Sequence, residues 1–133
     1  MREVRCGDGD PVAVFHKITE WNTGLEFLTG SQSSIQAGTW WYESGRVLKA
    51  HKHVTNQRDV AFTQETIVVL NGRVRVDLYD DEGTIFHQEE LSTGDIGVIL
   101  GGGHGYAILA DDTKIVEVKN GPFVSVEKDK VWL

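Results

Sequence analysis

One cysteine, Cys6, is all the chain contains, so it cannot close an internal disulfide. Proline is scarce as well: two prolines stand against fifteen glycines, a balance that suits short strands joined by tight turns. No apolar run approaches the length of a membrane-spanning helix. The start, Met1-Arg2-Glu3-Val4-Arg5-Cys6-Gly7-Asp8, lacks the apolar core of a signal peptide. A cytoplasmic protein, away from the membrane, is therefore expected. Positive charge is in deficit, with 13 Lys and Arg against 20 Asp and Glu and a net charge of -7. That balance disfavours a nucleic-acid surface. The length of 133 residues predicts one domain over 1–133 with a core of its own. Residues 1–11, polar and glycine-bearing, are expected to be a loose N-terminal segment.

What remains reads as strands. Thr39-Trp40-Trp41-Tyr42 carries residues that favour a pleated surface, and these aromatics are expected in the core or an interface. Val47 to His53 is expected to be a strand, followed by a polar loop over 54–63. Glu65 to Leu70 is the next strand, and Asn71-Gly72 is the strongest hairpin signal in the chain. Val74, Val76 and Leu78 alternate with Arg73, Arg75, Asp77 and Tyr79, which predicts a half-buried strand. Thr84 to Leu91, Ile96 to Leu100, His104 to Leu109 and Lys114 to Val118 follow, each bounded by glycine or acidic turns. There is no long helix, no repeat and no linker. The fold class is all-β, a sandwich or barrel.

The chemistry-bearing residues are framed by glycines. Gly45 precedes His51-Lys52-His53, Glu65 precedes Gly72, and Gly94-Asp95 precedes His104. Residues two apart on a strand point to one face, so a strand here would aim His51 and His53 at one spot. A carboxylate and a third imidazole from elsewhere would complete a mixed nitrogen and oxygen site for zinc, iron, manganese or nickel. Two histidines on a solvated edge strand are the plainer alternative. Glu65 opens the run Ile67-Val68-Val69-Leu70, where burial is unfavourable for a carboxylate without a partner.

This pattern resembles the cupin superfamily. Gly45, His51, His53, Glu65 and Gly72 fit the first cupin motif, with an unusually long spacer over 54–64. Gly94 and His104 match the ends of the second motif, with Gly101-Gly102-Gly103 at its turn. The proline of that motif is missing, and Ile108 stands where its asparagine would be. The resemblance implies a double-stranded β-helix, the jelly roll of the cupin barrel. It also implies a divalent metal held by His51, His53, Glu65 and His104, and a homodimer.

A second stretch bears on function. In Val116-Glu117-Val118-Lys119, one face is charged. Either that face is solvated, or Glu117 and Lys119 enter the pocket and act as acid, base or phosphate contact. The tail weakly resembles the end of the cupin domain in bifunctional mannose-6-phosphate isomerases, which points to a sugar or sugar phosphate. Tyr106 shares the parity of His104 and is expected to line the same cavity, as is Ile108. Lys49 has the parity of His51, and Arg58 lies in the long loop. His16 and His87 have no motif around them. The leading expectation is a metal-dependent isomerase or epimerase in which Glu117, Lys119 or Tyr106 moves protons. An iron-dependent dioxygenase, a non-catalytic sugar-binding module and a barrel stapled by a structural metal are the alternatives.

Overall fold

A computed structural model describes residues 1–133. The chain forms β1 (Arg2–Arg5), β2 (Pro11–His16), β3 (Gly24–Phe27), β4 (Gly38–Trp41), β5 (Glu65–Asn71), β6 (Arg73–Tyr79), β7 (Ile85–Ser92), β8 (Ile96–Ile99), β9 (Gly103–Ile108) and β10 (Lys114–Lys119). The one α-helix, α1 (Val126–Asp129), is a single turn. The protein is all-β, as its composition predicts, and every strand pairing is antiparallel.

The strands make three sheets. The first has five strands in the order β1-β2-β8-β5-β10, the second has three in the order β7-β6-β9, and β3 pairs with β4 alone. No closed barrel joins them. The alternation in β6 works as expected: Val74, Val76 and Leu78 are buried, and they pack with Phe15, Ile67, Val69 and Ile99 of the first sheet. The two sheets therefore bury one core between them. The opposite face of the first sheet presents Val14, Ile96 and Val98, covered by Leu28 and, partly, by Trp21, Ile35 and Ala37. Covered on both faces, β8 reads as the continuous run Ile96-Gly97-Val98-Ile99 with no polar alternation. At the Asn71-Gly72 hairpin, Gly72 has φ 91° and lies against Thr113, so both conformation and space call for glycine.

Three expectations are corrected. Residues 1–11 are not all loose: β1 pairs with β2, and Val4 is buried opposite Ala13. A polar four-residue strand gives no signal of its own, because the edge of β2 supplies its hydrogen bonds. Val47 to His53 is not a strand, and no strand or helix lies between Trp41 and Glu65. Val47 is 84% exposed and Leu48 43%, so this stretch has no apolar face to seat on a sheet. Trp40, Trp41 and Tyr42 are not core residues: Trp40 is 61% exposed on the outer face of its hairpin.

Leu78 is 1% exposed and lies between the two sheets. Leu78→Ala is expected to lower unfolding stability by about 2–5 kcal/mol. Val47→Ala, on the exposed segment, is expected to change it by no more than about 0.5 kcal/mol. Urea unfolding of both variants measures the difference.

Candidate functional site

Strand parity builds the site. Glu65, Ile67 and Val69 alternate along β5 toward the inter-sheet core, where Ile67 and Val69 are buried. The register of β10 sets Lys119 opposite Glu65, Glu117 opposite Ile67 and Ile115 opposite Val69. These three β10 residues therefore share the interior face, while Val116 and Val118 face out and are exposed. In the second sheet His104 pairs with Leu78 and Tyr106 with Val76, so both take the side of the buried residues of β6. Because β9 and β10 are each the last strand of their sheets, these side chains meet at the sandwich margin, not in its packed centre.

Glu65 is the focus. It is only 5% exposed. Its Oε1 lies 3.0 Å from His104 Nε2 and also accepts the Tyr106 hydroxyl. The His104 and Tyr106 rings meet edge to face, with centroids 5.6 Å apart. Burial alone would raise the Glu65 carboxyl. The hydrogen bonds from His104 and Tyr106, and the His104 charge, outweigh burial and pull it down to about 2. Tyr106 is pushed up, first by burial, then by its bond to Glu65 and by the negative charges of Glu65 and Glu117. Tyr106 is accordingly a hydroxyl donor across the working pH range. Lys119 Nζ donates to Glu117 Oε1 at 3.4 Å. His104 Nδ1 is closed to solvent and has no hydrogen-bond partner.

Glu65, His104, Tyr106 and Glu117 line one cavity of about 890 Å³ with Gly101-Gly102-Gly103, Tyr79, residues 61–63 and the C-terminal stretch Lys128 to Leu133. Two amide side chains fix its rim. Asn120 Oδ1 accepts the Gln64 backbone N–H at 2.7 Å, and Asn120 Nδ2 donates to the Phe62 carbonyl at 3.1 Å. Gln64 Nε2 donates to the Leu100 carbonyl at 3.0 Å, and its Oε1 accepts the Ile35 N–H at 3.0 Å. They hold the chain next to Glu65 and next to Lys119. Sequence reasoning missed both residues: Asn120 read only as part of a turn, and Gln64 carries no local signal. It also missed the tail as a cavity wall.

Five of the seven predicted site residues thus come together: Glu65, His104, Tyr106, Glu117 and Lys119. His51 and His53 do not join them. Both lie on the exposed irregular segment, with ring centroids 5.1 Å apart, and His51 Nδ1 is 3.2 Å from the Lys49 carbonyl. With no strand over 47–53, strand parity does not aim the two imidazoles at one spot. As arranged, the four expected metal ligands do not form one shell, and no group of three His, Cys, Asp or Glu side chains lies at metal-binding spacing. Lys49 and Arg58 are exposed on the same segment, and neither lines the cavity. Ile108 is also exposed and outside the lining, two pairs further along β9 from Tyr106.

Elsewhere, His16 is buried with neither ring nitrogen hydrogen-bonded, its Nδ1 3.9 Å from Glu20 and its ring tilted against Trp21. Comparison of the chain with protein-family models, with curated proteins and with solved structures finds no match.

A carboxyl group held down in the folded state stabilises that state above its unfolded value of 4.5, and the contribution is lost as pH falls toward about 2. Wild-type protein is therefore expected to lose stability over that acid window more steeply than Glu65→Gln. Denaturant midpoints measured across the window read this directly, and parallel curves would contradict the paired carboxylate.

Proposed function

We propose that the chain is an enzyme that moves a proton on a small polar substrate of sugar or sugar-phosphate type, as isomerases and epimerases do. One observation carries this reading. An imidazole, a phenol and two carboxylates line one cavity, with the Lys119 ammonium bonded to Glu117 beside it and the innermost carboxylate kept ionised. Such sets belong to proton transfer next to a carbonyl.

The environments divide the roles. Glu65 is too acidic to be a good base near neutrality, so it orients His104 and offsets the charge when the imidazole gains a proton. His104 is the proton carrier. Tyr106 donates its hydroxyl to a developing oxyanion, exchanging its bond to Glu65 for one to the substrate. Glu117 and Lys119, more exposed at the margin, position substrate hydroxyls. Lys128 and Lys130 in the cavity wall are cations that a phosphate group could meet.

Two facing antiparallel sheets, with glycine turns where the motifs place them, support the cupin jelly roll. A divalent metal would draw on His51, His53, Glu65 and His104, and its occupancy requires the segment between β4 and β5 to bring both histidines inward. When bound, the metal would polarise a substrate oxygen. With the metal held there, His104 and Glu65 would be its ligands and the proton work would fall to Glu117, Lys119 or Tyr106; without it, His104 carries the proton. A homodimer would use the exposed Leu25, Phe27 and Trp40 on the outer face of β3 and β4.

The test is proton exchange. Purified protein is incubated in D₂O with a panel of aldose and ketose phosphates, with its metal content measured alongside. NMR is expected to show deuterium entering the carbon beside the carbonyl of one substrate. In His104→Asn the exchange is expected to fall about 10²–10⁴-fold. No exchange with any sugar, or undiminished exchange in the variant, would overturn the reading.

A further inference from the structure

The cavity has one wall that belongs to neither sheet. The tail from Ser125 folds back across it, so that Lys128, Asp129, Lys130, Val131, Trp132 and Leu133 face the margin where Glu65 and His104 meet. Few bonds hold this stretch. Its one helical turn is closed by Asp129 N–H to the Ser125 carbonyl at 3.1 Å and Lys130 N–H to the Val126 carbonyl at 2.8 Å. Asp129 Oδ1 accepts the Thr63 hydroxyl at 2.8 Å, the one side-chain bond between α1 and the rest of the cavity. Beyond α1, Val131, Trp132 and Leu133 are mostly exposed.

Leu133 rests on Gly103. A Cβ built at Gly103 would lie 2.5 Å from Leu133 Cδ1, so the bare glycine backbone is the seat for this side chain. The next residue is His104, whose Nδ1 is shut from solvent and bonded to nothing, while its Nε2 is committed to Glu65. Gly103 pairs with Tyr79 and faces out, whereas His104 pairs with Leu78 and faces in, so Leu133 anchors the tail on the outer face of β9 and the stretch from Asp129 to Leu133 spans the cavity margin between Thr63 and that anchor.

The geometry points to a strap: we propose that residues 125–133 form a movable cover over the Glu65–His104 centre, held by the Thr63–Asp129 bond and by Leu133 on Gly103. Substrate enters when the strap lifts and is shielded from water when it returns. A segment with little buried apolar area and few backbone bonds opens at low free energy, as such a cover requires. The inference rests on His104 being the working imidazole, but its test reads exposure and not activity.

The five histidines supply their own scale. Diethyl pyrocarbonate acylates accessible imidazoles, and mass spectrometry resolves each site. His51 and His53, exposed, mark full reactivity, and buried His16 marks protection in the folded state. Removing residues 125–133 is expected to raise the His104 rate to that of His51 and His53 while His16 stays protected. Leu133→Ala, which loses only a small contact, is expected to raise it about threefold. Thr63→Val, which removes the hydroxyl bonded to Asp129, is expected to act in the same direction. If the truncated chain exposes His16 as well, the two point variants decide. An unchanged His104 rate in the truncated chain with His16 protected, or in both point variants, overturns the strap. Loss of sugar exchange in His104→Asn without any change in these rates would leave the proton-transfer reading standing and remove the strap alone.

Discussion

The carboxylate of Glu65 is the constraint on which the rest of this molecule turns. It starts a strand whose next inward residues are core aliphatics, so it enters a place where an unpaired charge is strongly unfavourable. Two donors from the facing sheet, His104 and Tyr106, satisfy the same oxygen. Their delivery depends on the register of β9 against β6, which is fixed by the buried alternation Val74, Val76 and Leu78. A slip of one residue in either strand would turn both donors away and leave Glu65 buried without partners. The two sheets and the polar centre therefore specify one another.

The same centre separates the acidic groups by surroundings. Glu65 is enclosed and donor-bound, and is held ionised well below its usual range. Glu117, two positions along the neighbouring strand's interior face, is half open to water, pairs with Lys119 at 3.4 Å and also helps hold the Glu65 carboxyl down. One carboxylate is enclosed and donor-bound, the other is open to water. That division follows from depth at the sandwich margin and from no difference in residue type.

Much of this was legible in the sequence where signals were local. Alternation in β6 gave its buried residues and Asn71-Gly72 gave the hairpin, while for the charged side of β10 the sequence left a solvated face and a pocket face both open. Glu65 stood out because a carboxylate opens an apolar run. His104 came from the resemblance to the second cupin motif and Tyr106 from sharing its parity, a rule that also placed Ile108 in the cavity, which it does not line. The failures share a cause. β1 exists because β2 offers an edge, and Val47 to His53 is irregular because no strand offers it one. Neither fact resides in the segment itself. The motif around His51 and His53 supplied spacing without the burial that would make spacing matter. Gln64, Asn120 and the tail act through bonds to residues far away in the chain, which no local pattern announces.

The most direct test of the account is a double-mutant cycle on stability between Glu65→Gln and Tyr106→Phe, measured by denaturant unfolding at neutral pH. If the two groups share one buried bond, their effects are coupled, with an interaction energy of about 0.5–3 kcal/mol. If the two losses add to within about 0.3–0.5 kcal/mol, Glu65 and Tyr106 act independently, and the centre described here does not exist as a unit.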